Sequence, residues 1–143
     1  MLYKFLSGLA QGVTHCIFRV KVVGKENVPK DGGMILAVNH KSNWDPIFAG
    51  AYCPRPLRFM AKADLFKIKL FGGLIKKLGA FPIQRGRGDI GAIKGAFSIL
   101  KNNDAMLIFP EGHRIKNGKR VKAKLGVSMI AVYAKVPVIP LCI

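Results

Sequence analysis

The sequence predicts a single α/β domain: a mostly parallel or mixed sheet with helices on both faces, preceded by an amphipathic helix. Three observations carry this expectation. Short apolar runs of strand length, such as 34–38 and 106–109, have no polar side to offer water, as in sheets covered on both faces. Segments of helical periodicity alternate with those runs. Polar clusters follow the runs directly, at the strand ends where α/β folds build ligand sites.

In residues 2–20, Leu2, Phe5, Leu6, Leu9, Val13, Cys16, Ile17 and Val20 recur at helical spacing and form one wide apolar face. Between Lys4 and Arg19 there are only 14 uncharged residues, short of the ~20 that a spanning helix needs. No small-residue cleavage site follows. The helix therefore either packs on the domain or lies in a membrane interface, and the flanking Lys4, Arg19 and Lys21 favour the interface. Residues 19–23 alternate and read as a strand closed by Gly24, and 27–33 is a turn. Strand 34–38 leads to a short helix over 46–52, stopped by Pro54 and Pro56. Strand 57–61 precedes a basic helical stretch over 64–78, interrupted at Gly72-Gly73. Residues 80–83 are strand-like, and 89–102 is a helix with Asp89 in its first turn, where the macrodipole favours an acid. Strand 106–109, a helix over 124–135 and an apolar final run over 136–143 complete the chain. A domain rarely ends on an unprotected apolar strand, so either this last run is central in the sheet or the natural chain continues.

At 143 residues and half hydrophobic, the chain can bury a core and is not disordered. Its formal charge of +17, from 24 Lys and Arg against 7 Asp and Glu, implies an anionic partner: nucleic acid, an acidic membrane surface or a phosphorylated substrate. Cys16, Cys53 and Cys142 have no metal-like spacing and read as reduced, buried or half-buried thiols of a cytosolic protein.

With so few acids, the placing of each one is informative. Asn39-His40-Lys41-Ser42-Asn43-Trp44-Asp45-Pro46 follows strand 34–38, and across such a turn an imidazole and a carboxylate can meet. The carboxylate then fixes the tautomer and leaves the other ring nitrogen free as a base. No Gly-x-Ser-x-Gly elbow is present, so a nucleophilic hydroxyl has to come from the substrate. The plainer alternative is a polar loop in which Asp45 caps a helix. Pro110-Glu111-Gly112-His113-Arg114 follows strand 106–109; Gly112 allows close backbone approach and Arg114 offers a planar fork for phosphate. Glu111 can orient that arginine or bind a substrate hydroxyl. Lys62 and Arg85 stand at two further strand ends. Arg114, Lys116, Lys119, Arg120, Lys122 and Lys124 make a basic stretch suited to an anionic bilayer. Gly86-Arg87-Gly88-Asp89-Ile90-Gly91 matches a dinucleotide fingerprint only formally. Asp89 puts negative charge where a pyrophosphate would bind, and Gln84-Arg85 separates the strand from the glycines.

The order of these motifs resembles the glycerolipid acyltransferase family, the bacterial 1-acylglycerol-3-phosphate acyltransferases. Residues 39–45 resemble the family's His-x4-Asp block, the base and its orienting carboxylate. Residues 79–85 resemble the second block, whose arginine is assigned to glycerol phosphate. Phe109-Pro110-Glu111-Gly112-His113-Arg114 is similar to the acceptor block, and Val136-Pro137-Val138-Ile139-Pro140 to the fourth, near the acyl donor. Lys62 is similar to a family lysine linked to phosphate. The departures are Gln84, where the family usually has Asp, and His113, where it usually has Thr or Ser.

The resemblance implies an interface helix over 1–20 and an acyltransferase domain over 21–143, cut short at its C-terminal end. His40 and Asp45 would be catalytic. Lys62, Arg85, Glu111, Gly112 and Arg114 would bind substrate, with Gly112 N–H a candidate oxyanion donor. No metal or cofactor is called for; the co-substrate is acyl-CoA or acyl-carrier protein, and lysophosphatidate the acceptor. Glycerol 3-phosphate or a lysophospholipid is the alternative acceptor. The implied location is the cytoplasmic face of the cell membrane, peripheral or monotopic, on an anionic lipid surface. Two rivals remain: a non-catalytic basic membrane-binding module, and a nucleic-acid binder. The second wants aromatics among its cations, and the 114–124 stretch has none.

Overall fold

A computed structural model describes residues 2–83, 90–115 and 121–143. Five strands, β1 (Met34–Val38), β2 (Leu57–Lys62), β3 (Ala80–Ile83), β4 (Ala105–Ile108) and β5 (Val138–Leu141), form one sheet in the order β3-β2-β4-β1-β5. Every pairing is parallel. The helices are α1 (Leu2–Ile17), α2 (Asp45–Tyr52), α3 (Lys69–Lys77), α4 (Ile90–Lys101) and α5 (Gly126–Ala134), with short 3-10 turns at Lys25–Asn27 and Ala63–Lys67.

The steps β1→β2 and β2→β3 run one way across the sheet, and β3→β4 and β4→β5 run the other. Right-handed crossovers then send the connecting helices to opposite faces. The buried residues bear this out. Met34, Leu36 and Val38 of β1 pack with Ala49 of α2, Leu57 and Leu107. On the other face Ile35 and Met106 pack with Ala96 and Leu100 of α4 and Ile130 of α5. Period-two alternation within β1 thus feeds two cores, which is why its sequence is apolar throughout.

Helix α1 docks on α2 through polar side chains. Tyr3 Oη donates to Gly50 C=O (3.1 Å), and Ser7 Oγ (2.9 Å) and Gln11 Nε2 (2.5 Å) both donate to Ala51 C=O. Thr14, fully buried, meets the Tyr52 hydroxyl at 2.8 Å. These donors serve carbonyls in the last turn of α2 that have no partner inside the helix. The apolar stripe of α1 consequently points away from the domain, with Phe5 69%, Leu9 56% and Ile17 58% exposed. Of the two readings of this helix, the structure shows packing on the domain, and it is by the polar side.

Four expectations are corrected. Residues 19–23 form no strand. Both edges of β1 are taken by β4 and β5, so Val22 and Val23 instead lie over the sheet face. There they close, with Leu36, Phe48, Tyr52 and Ile139, an apolar hollow of about 320 Å³. Helix α3 runs through Gly72-Gly73 without a break, because a side chain at Gly72 would collide with the backbone of Phe66 and glycine permits the contact. Cys16 and Cys142 are exposed free thiols; only Cys53, which borders the hollow, is half-buried, and desolvation raises its thiol pKa. The final strand β5 lies at the sheet edge rather than its centre, tied to β1 by Asn39, whose side chain accepts from Ile143 N–H (2.8 Å) and donates to Ile143 C=O (2.9 Å).

Candidate active site

Because all strands are parallel, their C-terminal ends share one edge of the sheet. There β1 and β4 lie side by side while the chain leaves them towards opposite faces, which opens the crevice characteristic of a topological switch point. The β1–β4 register pairs Ala37 with Ile108. Continued by three residues, it brings His40 level with Glu111.

The segment between β1 and α2 folds around one carboxylate. Asp45 Oδ2 accepts from the backbone N–H groups of Lys41 (2.6 Å) and Ser42 (2.7 Å), and His40 Nδ1–H donates to it at 2.9 Å. The Asp45 side chain is 3% exposed and that of His40 13%. Asp45 opens α2, but its carboxylate turns back into the loop and makes no cap bond to the helix, so the helix-cap alternative is set aside. With Nδ1 committed, the tautomer is fixed and Nε2 has no protein partner among the described residues. Burial of a carboxylate is tolerated here because three donors converge on it.

The turn after β4 supports the imidazole from the other side. The Phe109 ring stacks on the His40 ring, centroids 4.0 Å and planes 21° apart. Ile115 N–H donates to His40 C=O at 2.8 Å, which draws residues 109–115 against the histidine. Glu111 Oε2 is buried without a hydrogen-bond partner among the described residues, so that oxygen has unused acceptor capacity. Gly112 adopts φ +73°, in the left-handed region that favours glycine. Its N–H donates to Phe109 C=O at 3.0 Å, so the turn itself consumes the proposed oxyanion donor.

The cationic candidates divide. Arg114 is exposed and directly precedes the residue bonded to His40. Lys62 ends β2 and pairs with Asp64 (2.7 Å) at an exposed position; hydrogen bonds from Lys62 and Lys67 lower the Asp64 pKa. Arg85, Gln84 and the glycines at 86 and 88 lie outside the described residues, as do Lys116, Lys119 and Arg120.

Sequence reasoning missed the support roles of Phe109 and of the Lys41 and Ser42 amides. Phe109 was legible only as the last residue of an apolar run, and backbone donors leave no mark in a sequence.

Comparison with known proteins agrees with this fold. Residues 19–143 match the acyltransferase family. The chain is 34% identical to the 1-acyl-sn-glycerol-3-phosphate acyltransferase of Bacillus subtilis, over 97% of this chain and 69% of that one. It is 37% identical to the enzyme of the same name from Streptococcus pneumoniae, over 98% and 53%. The crystal structure of the 1-acyl-sn-glycerophosphate acyltransferase of Thermotoga maritima superposes with a TM-score of 0.80 at 31% identity, covering 96% of this chain and 56% of that one. The chain thus spans little more than half the length of the last two. By fold and by descent, this chain belongs to the acyltransferase family.

Proposed function

We propose that this chain carries the acyl-transfer site of a 1-acylglycerol-3-phosphate acyltransferase. It moves a fatty acyl group from acyl-CoA or acyl-carrier protein to the free hydroxyl of lysophosphatidate, giving phosphatidic acid. The observation that carries this reading is the Asp45–His40 pair, with Nε2 open beside the Glu111 turn. Nε2 takes the proton of the acceptor hydroxyl as its oxygen attacks the thioester carbonyl. The tetrahedral intermediate collapses, the C–S bond breaks, and the imidazolium returns the proton to the departing thiolate. A thioester is already activated, so general-base catalysis of ~10²–10⁴-fold, together with positioning, is a sufficient share of the work. Glu111 accepts from a substrate hydroxyl, and Lys62, Arg85 and Arg114 neutralise the acceptor phosphate.

The same reading puts α1 in the interface of an anionic membrane on the cytoplasmic side. Its outward apolar stripe and the charge of +17 support this. No helix among the described residues is long and apolar enough to cross a membrane.

The test is acyl transfer to lysophosphatidate, with each donor in turn and glycerol 3-phosphate as the competing acceptor. His40→Ala should lower kcat by at least a hundredfold. Near-normal turnover by that variant would remove the mechanism, and preference for glycerol 3-phosphate would change the acceptor.

A further inference from the structure

Lys124 differs from the rest of the basic stretch in what it touches. Its N–H donates to Pro110 C=O at 2.9 Å, which pins it to the turn after β4. Its side chain then folds back over Gly112: a Cβ built on that glycine would stand 2.9 Å from both Cε and Nζ of the lysine. The absence of a side chain at 112 therefore serves two ends, the positive φ and the passage of the lysine. Lys124 and Gly112 also border an apolar hollow of about 220 Å³, whose walls include Phe109, Met60, Ile108 and Ile130. The other face of the site is near, since the Phe109 ring also stacks on His40.

The lysine ammonium has no ion-pair or hydrogen-bond partner among the described residues. The neighbouring Glu111 is not within ion-pair distance, and its buried oxygen is itself unpartnered. Lys124 is exposed, so its ammonium is open to a ligand. A cation beside the candidate catalytic turn, without an anionic partner among the described residues, fits an anionic group brought by a ligand.

We propose that Lys124 is a substrate-binding residue whose ammonium takes a phosphate group at the Glu111–Gly112 turn. The proposal deepens the acyl-transfer reading and rests on it for the identity of the substrate. Two sources of phosphate are available, the glycerol phosphate of the acceptor and the phosphopantetheine arm of the donor.

Lys124→Met keeps most of the stem and removes the charge; Lys124→Arg keeps the charge. Lys101→Met, at the exposed end of α4, controls for general loss of charge. In acyl-transfer assays the methionine variant should raise one substrate KM about tenfold or more, with kcat changed far less. Arginine should restore most of the loss, and the Lys101 variant should stay within twofold of the unaltered chain. A rise confined to lysophosphatidate assigns the acceptor phosphate, and a rise confined to the thioester assigns the donor arm. As a readout independent of turnover, calorimetric titration with glycerol 3-phosphate and with phosphopantetheine should show the matching ligand weakened about tenfold in Lys124→Met.

Unchanged KM values, equal losses from Lys101→Met, or phosphate affinities that ignore Lys124 would overturn the proposal. So would a fall in binding to anionic vesicles that accounts for the whole KM change, since the ammonium would then serve the bilayer. Failure of acyl transfer in the unaltered chain, with Lys124-dependent phosphate binding intact, would count against the catalytic reading and leave the role of Lys124 standing.

Discussion

The ring of Phe109 lies flat against the imidazole of His40, centroids 4.0 Å apart, and so joins the ends of two adjacent parallel strands. The hydrogen bond from Nδ1 to Asp45 fixes one edge of the imidazole but leaves the ring free to rock about that bond. The stack removes this freedom, so Nε2 is held in direction as well as in tautomer.

Phe109→Leu tests the consequence. Leucine keeps apolar volume against the β1–β4 core, but offers no flat face to the imidazole. We expect kcat to fall about tenfold, with acceptor KM within about threefold, because a base that wanders costs transition-state stabilisation more than binding. Steady-state kinetics on the purified variant, with a thermal melt to check folding, decides it. Unchanged kcat would mean that the Asp45 bond alone orients the ring.

Asp45→Asn probes the other edge. The amide oxygen can still accept from the Lys41 and Ser42 N–H groups, so the loop should persist. What is lost is the negative charge that stabilises the imidazolium, together with the preference for the Nδ1–H tautomer. In serine hydrolases the matching change costs ~10⁴-fold in kcat. On the proposed acyl transfer the substrate is an activated thioester, and we expect ~10²–10³-fold here, with an intact melting transition. A loss below tenfold would reduce Asp45 to a loop-forming residue.

These supports divide into what the sequence could express and what it could not. The alternation of apolar runs with helical segments, and the polar clusters at the strand ends, were legible because burial on both faces and switch-point chemistry each constrain residue type. The contact between His40 and Asp45 was legible for the same reason: few residue types can pair in this way across a turn. Residues 19–23 misled because alternation records an environment, half apolar and half polar, and a segment draped over a sheet face meets that environment as well as an edge strand does. The break expected at Gly72-Gly73 failed because glycine there answers a tertiary contact with Phe66, which no local propensity encodes. Gly112 was rightly singled out for its backbone, yet its N–H is spent on Phe109, a partner only three residues back that the turn geometry alone selects.

Helix α1 gives the last prediction, because its two faces can be altered separately. Tyr3, Ser7, Gln11 and Thr14 hold it to α2 and its neighbours, while Phe5, Leu9 and Ile17 are more than half exposed. Replacing Phe5, Leu9 and Ile17 together by Ser should leave the melting temperature within a few degrees. Burying each such side chain in an apolar phase is worth ~1.5–3 kcal/mol when complete, so even partial insertion of three would supply several kcal/mol of membrane affinity. Co-sedimentation with anionic vesicles should therefore fall at least a hundredfold, whereas transfer to a detergent-dispersed acceptor should be retained. Gln11→Leu acts on the inward face: it strips a donor from Ala51 C=O and should lower the melting temperature without weakening vesicle binding. If the triple variant binds vesicles as the unaltered chain does, the outward stripe is not the membrane contact. The basic residues then become the surface to test, by raising the salt concentration and watching whether binding is lost.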